Sequence, residues 1–131
     1  MARIKYLQRL HLDPKTYVIT GEDPAEFLKL VNDFESTHKP ADVSERFLVE
    51  MMIIDTWRLR RYERALPHVQ AKGTEKDIKR LTRIVTTIQR SIRTTLSDLN
   101  KMRAASAKAQ RKGAPKTPHF DDSLPANYYI N

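Results

Sequence analysis

The chain has 131 residues, which is enough for one domain with its own core and too few for several. It has no cysteine, which excludes disulfides and thiolate metal sites, and we expect a cytoplasmic protein. No apolar run reaches the roughly 18–20 residues that cross a bilayer, so we expect no membrane association.

The net charge of +8 is distributed unevenly along the chain. Residues 1–77 contain 13 basic and 13 acidic side chains, whereas residues 78–118 contain 11 basic side chains and a single acidic one, Asp98. Residues 119–131 add two acidic side chains. Positive charge confined to one segment is typical of an electrostatic binding surface.

The first 20 residues predict an extended or partly helical lead-in. Their leucines and isoleucine would line a short helix that ends at Asp13-Pro14. The following stretch, TYVIT, contains strand-forming residues but has no second strand to pair with, so we expect it to pack on helices.

A short helix is predicted at about 24–36. Asp23 is a good N-cap, Pro24 suits the first helical position, and Glu26 completes a capping-box pattern. The sequence His38-Lys39-Pro40 should stop it.

A second helix is predicted at about 42–66. Asp42 followed by Glu45 marks its start, and Pro67 predicts its end because proline disfavours helical geometry at the preceding residue. Residues 47–54 are apolar around most of the helix, which indicates a central helix with neighbours on more than one side.

A third helix is predicted at about 75–108, with a cap formed by Thr74 and Asp77. It carries apolar residues in a heptad pattern that threonine interrupts once, and this pattern predicts a seam that packs on a partner helix. The seam consists of Ile78, Leu81, Val85, Ile88, Ile92, Thr95, Leu99 and Met102.

These elements predict an all-α fold: a long antiparallel, coiled-coil-like helical hairpin with a short additional N-terminal helix, in a three-helix bundle arrangement. The helical domain spans 21–112, and the proline-containing tail 113–131 should be flexible. The third helix, roughly 50 Å long, outruns the second at roughly 38 Å. Its uncovered end and the apolar central helix predict a homo-oligomer, most simply a dimer.

The sequence contains no recognisable catalytic or cofactor site. The four histidines are scattered without metal-ligand spacing, and the three glycines form no phosphate-binding loop, so we expect no metal, no cofactor and no enzymatic activity. The carboxylates Glu22, Asp23 and Glu26 are explained by helix capping. Asp55, among apolar residues, has either a perturbed pKa or an ion pair with Arg58, and we favour the pair.

The stretch WRLRRYER, from Trp57 to Arg64, has two interpretations. Its four arginines and two aromatic rings suit phosphate contact with base stacking. Alternatively, Trp57 lies in the core, the arginines extend to water and Glu63 pairs with Arg60.

The basic face of the third helix indicates a nucleic-acid surface, since ordinary exposed faces mix both signs of charge. We therefore expect a non-enzymatic protein that binds DNA, RNA or another polyanion. An oligomeric assembly module, with the heptad helix contacting subunits or an acidic partner protein, is the alternative. The predicted phosphate contacts are Arg60, Arg61, Arg64, Lys79, Arg83, Arg90, Arg93, Lys101, Lys108, Arg111 and Lys112.

Three stretches carry a family resemblance: GEDPAEF at 21–27, ERFLVE at 45–50 and WRLRR at 57–61. Together they resemble an uncharacterised family of bacterial helical proteins, in which GEDPxEF, ExxLVE and WRLRR stretches precede a basic helix. The resemblance covers about residues 20–103. It implies a bacterial source and assigns no function and no catalytic residue.

Overall fold

A computed structural model of the chain describes residues 12–113. This range contains four helices and no strand, which confirms the all-α prediction: α1 is Pro14–Tyr17, α2 is Pro24–His38, α3 is Val43–Lys72 and α4 is Glu75–Gly113. The chain divides into two compact units, of which the first ends at Ser97 and the second begins at Asp98. The predicted tail at 114–131 and the lead-in before residue 12 lie outside the described residues.

Helices α3 and α4 form the predicted antiparallel hairpin, connected by Gly73 and Thr74. Within the first unit, the Ser91 hydroxyl of α4 donates a 2.8 Å hydrogen bond to the Asp55 carboxylate of α3. Helix α2 packs on α3, and α1 packs on α2. The first unit is therefore a helical hairpin with the shorter N-terminal helices added on α3.

Local capping explains where the long helices begin. The caps are Asp23, Asp42 and Thr74, whose side-chain oxygens accept hydrogen bonds from the first helical turn at 2.9, 2.8 and 3.1 Å. The Thr74 N–H in turn donates a 3.2 Å hydrogen bond to the Asp77 carboxylate, which completes a capping box. The Glu45 carboxylate accepts a 3.1 Å hydrogen bond from the N–H of Ala41, the residue before the Asp42 cap. The three predicted helix starts are thus confirmed.

Two helix boundaries near the N-terminus are also set locally. Lys39 adopts a left-handed conformation with φ of 43° and donates its N–H to the Glu35 carbonyl, which ends α2. Asp13 caps α1, and Pro14 takes its first position. The helix predicted to end at this dipeptide lies before residue 12, outside the described residues.

The predicted end of the second helix at Leu66 is wrong. Helix α3 continues through Pro67 to Lys72, and the Gly73 N–H bonds to the Val69 carbonyl at its end. Proline removes one N–H donor, so the Glu63 carbonyl loses its helical partner. Glu63 and Pro67 are both exposed, and water can satisfy that carbonyl.

The core of the first unit is formed by residues of α2, α3 and α4, together with Leu12 just before α1. Its buried apolar residues are Leu12, Phe27, Leu30, Val31, Val49, Met52, Ile53, Trp57, Leu81 and Ile88. In the predicted heptad seam of this unit, Leu81, Ile88 and Thr95 are buried, whereas Ile78, Val85 and Ile92 are half-buried. The Thr95 hydroxyl donates to the Ser91 carbonyl at 2.9 Å, so the polar interruption of the seam is satisfied.

In the second unit, Leu99 is fully buried and Met102 is half-buried. The following helical turns, residues 104–112, are exposed throughout. Helix α4 also continues to Gly113, five residues beyond its predicted end, because alanine, lysine, arginine and glutamine favour helix and no proline intervenes.

One face of the central helix is uncovered. Val43, Phe47 and Met51 are spaced by one helical turn each and are 71%, 59% and 36% exposed. The prediction that α3 contacts neighbours on more than one side is met by α2 and α4, yet this third face remains open to solvent.

Candidate functional site

The basic face of α4 in the first unit is formed by Lys79, Arg80, Arg83, Arg90 and Arg93, and all five side chains are exposed. Residues 78–97 contain no acidic side chain. The one ion pair of these five residues within the described chain joins Lys79 to Glu75 at 3.5 Å, and both partners are largely exposed. Such a pair contributes little stability, so the face retains nearly all its positive charge.

The second unit carries a separate set of cations on α4. They are Lys101, Lys108, Arg111 and Lys112, and each is exposed. Asp98 is the one acidic residue at 98–113. Both units thus present lysine and arginine side chains that can contact an anion.

The arginines of α3 differ from those of α4. Arg60 is exposed, whereas Arg61 is half-buried and forms a bidentate ion pair with Glu22. Its Nε donates to one Glu22 carboxylate oxygen at 2.8 Å, and its Nη2 donates to the other at 2.9 Å. Arg64 lies 3.5 Å from the same carboxylate. Two of the three predicted phosphate contacts on α3 therefore already have an anionic partner within the chain.

Trp57, one helical turn before Arg61, also contacts Glu22. Its indole N–H lies 3.2 Å from both the Glu22 carboxylate and the Tyr17 carbonyl, and Arg61 donates to that carbonyl at 2.7 Å. The indole ring meets Phe27 edge to face, and Phe27 stacks on Tyr17. We call Tyr17, Glu22, Phe27, Trp57 and Arg61 the Glu22 cluster.

The electrostatics of the Glu22 cluster favour its charged state. Hydrogen bonding from Arg61 lowers the pKa of Glu22 from 4.5 to about 2, although partial burial opposes the shift. Further hydrogen bonds from the Ile19 N–H and the Trp57 indole act in the same direction. The same pair raises the pKa of Arg61. Each partner thus stabilises the charge of the other.

Trp57 is 1% exposed, so the core interpretation of this residue is confirmed and its ring is not available to stack on a base. The predicted pairing of Asp55 with Arg58 is also confirmed, at 3.4 Å.

Sequence reasoning missed the Glu22 cluster and assigned Glu22 a capping role. The capping function belongs to Asp23. Gly21, just before Glu22, adopts φ of 92°, a conformation that glycine tolerates and other residues rarely adopt. The GEDPAEF and WRLRR stretches meet in this cluster, where Trp57 and Arg61 donate to Glu22. Their separation of 39 residues between Glu22 and Arg61 follows no helical or strand period.

A groove of about 340 Å³ separates α3 from α4 in the first unit. Its α3 wall is formed by Asp55 and Arg58. The α4 side is lined by Arg83, Ile84, Thr87, Ile88 and Ser91. Arg83 thus belongs both to this groove and to the basic face.

Residues 12–113 contain no group of three histidine, aspartate or glutamate side chains arranged to hold a metal ion. His38 lies beside Phe34, and His68 is exposed on α3. No helix in this range is long and apolar enough to span a membrane.

The geometry defines an all-α helical-hairpin protein in which Arg61 is paired with Glu22 and the basic face of α4 is exposed. No family model, curated protein or solved structure matches the chain.

Proposed function

We propose that the chain is a non-enzymatic nucleic-acid-binding protein that holds phosphate groups on the basic face of α4. The observation that carries this proposal is the run from 78 to 97, with five exposed cations and no acid. A solvated face that served only solubility would gain stability from mixed charges at i, i+4 spacing, and among the described residues this face has one such pair, Lys79 with Glu75.

The proposed contacts are the exposed members of the predicted set other than Arg64, which lies 3.5 Å from Glu22. They comprise Lys79, Arg83, Arg90 and Arg93 of the first unit, Lys101, Lys108, Arg111 and Lys112 of the second, and Arg60 of α3. Phosphate contacts position a nucleic acid without reading its bases, so binding should be largely independent of sequence. Arg61 contributes to the Glu22 cluster instead.

A salt titration tests the proposal. Fluorescence anisotropy should show binding of labelled single-stranded and duplex oligonucleotides at low salt, with affinity falling steeply as salt rises. The double variant R90Q/R93Q should lower the log–log salt slope on duplex by about 2.

The double variant K15Q/K29Q is the matched control, since it removes two exposed cations from α1 and α2. It should leave the slope nearly unchanged. Absence of binding to either oligonucleotide at low salt would refute the proposal.

A second candidate function is an oligomeric assembly module, most simply a homodimer, and the exposed Val43, Phe47 and Met51 face favours it. In the first unit the seam residues are buried or half-buried, so the more exposed face of α3 is the better surface for a partner. Sedimentation velocity at several concentrations should show association that F47S abolishes. A concentration-independent monomer would refute this function.

A further inference from the structure

The groove between α3 and α4 carries positive charge on both of its walls. Arg58 from α3 and Arg83 from α4 line it from opposite helices. The Arg58 side chain is 45% exposed and lies 3.4 Å from Asp55, while Arg83 forms no ion pair among residues 12–113. Two arginines and one aspartate line the groove, so its net charge is positive.

The lining of the groove also includes apolar side chains. These are Ile84 and Ile88, which we call the isoleucine floor, and Thr87 lines the groove as well. A flat apolar ring fits an isoleucine floor, while hydroxyl and carboxylate oxygens can bond its polar edge. Pockets of small ligands begin at about 300 Å³, so the groove's 340 Å³ suits a ligand of about one nucleotide.

Arg83 connects the groove to the basic face, where Lys79 and Arg90 lie at most two turns away along α4. A strand whose phosphates follow that face therefore passes the mouth of the groove. In a single strand the bases are free to turn into such a groove, whereas in a duplex they are stacked and paired.

We propose that this groove seats one nucleotide of a single strand, with its phosphate held by Arg58 and Arg83 and its base on Ile84 and Ile88. The protein then prefers single-stranded to duplex nucleic acid. This inference rests on the proposed function. An acidic peptide satisfies the two arginines but leaves the isoleucine floor unused, so the nucleotide is the better fit.

The test makes the same charge-introducing substitution at two positions of α4, T87E and T82E. Thr87 lines the groove, Thr82 does not, and both are exposed, so each variant should fold. Anisotropy is measured with labelled single-stranded DNA, single-stranded RNA and duplex DNA of equal length. Wild type should bind the single strands about tenfold more tightly than duplex, because only a single strand can turn a base into the groove.

T87E should abolish this preference, whereas T82E should retain it, and both should weaken duplex binding equally. R58Q, which lies outside the basic face, should lower single-strand affinity and spare duplex affinity. The nucleotide site would be contradicted if wild type bound the three oligonucleotides equally, or if T87E and T82E had equal effects. Either result would leave the proposed function intact. If poly-glutamate displaced the labelled single strand as effectively as unlabelled single strand does, the groove would be assigned to acidic peptides and the nucleotide site contradicted. If wild type binds none of the three oligonucleotides at low salt, both the nucleotide site and the proposed function are contradicted.

Discussion

Arg61 and Arg90 are identical side chains on the two arms of one helical hairpin, yet their surroundings differ. Arg61 is half-buried and donates three hydrogen bonds to Glu22 and the Tyr17 carbonyl, whereas Arg90 is exposed. The first arginine supports the fold, and the second is free to contact another molecule. The charge of an arginine therefore says little about its role until its neighbours are known.

The same difference explains why positive charge accumulates on only one segment. In residues 1–77 the acids balance the bases, and Glu22 shows how one acid is used by two arginines, Arg61 and Arg64. In residues 78–97 no acid provides such a partner. A protein gains stability from paired charges and binding capacity from unpaired ones.

The largest expected effect comes from removing the ring at the centre of the Glu22 cluster. W57A deletes a fully buried indole and should destabilise the protein by about 3–5 kcal/mol in urea unfolding. W57F keeps a ring against Phe27 and should cost clearly less. A loss below about 1 kcal/mol for W57A would show that the cluster does not support the fold.

The direct test of the comparison makes one substitution in both regions. R61Q leaves the Glu22 carboxylate without its bidentate partner and should cost about 1.5–3 kcal/mol of stability. R90Q should change stability by less than about 0.5 kcal/mol. Oligonucleotide binding should show the reverse order: R90Q lowers the salt slope by about 1, and R61Q leaves it unchanged while the protein is folded. Equal losses of stability in R61Q and R90Q would contradict the distinction between a structural Arg61 and a binding Arg90.

Acid should weaken the Glu22 cluster selectively. Because Arg61 holds the pKa of Glu22 at about 2 in the folded protein, against 4.5 ordinarily, the stabilisation is complete above 4.5 and is lost as the pH falls towards 2. Urea unfolding of wild type and E22Q should therefore differ most near pH 6, and less at about pH 3. E26Q changes an exposed glutamate of α2 and serves as the control. A difference that stays constant with pH would contradict the assignment.

The smallest expected effect concerns the exposed pair at the start of α4. K79Q breaks the 3.5 Å contact with Glu75, yet stability should change by less than about 0.5 kcal/mol because both side chains are solvated. The measurement is again urea unfolding, with R61Q beside it as the opposite extreme. A loss as large as that of R61Q would mean that surface pairing also stabilises this helix strongly.

The amino-acid sequence determined the features that depend on near neighbours along the chain. The caps at Asp23, Asp42 and Thr74, the hairpin of two long helices and the segregation of charge all follow from residues a few positions apart. Such features could be predicted because helix capping and heptad periodicity act over one or two turns.

Tertiary structure alone decided which charges are paired, which faces are covered and how far α3 extends. Glu22 meets Arg61 across 39 positions of sequence, and the Val43–Met51 face stays open although its residues are as apolar as the buried ones. Pro67 is tolerated because its turn of α3 is exposed to water. Each outcome depends on what packs against a side chain or on solvent access, and neither quantity has a signature in local spacing.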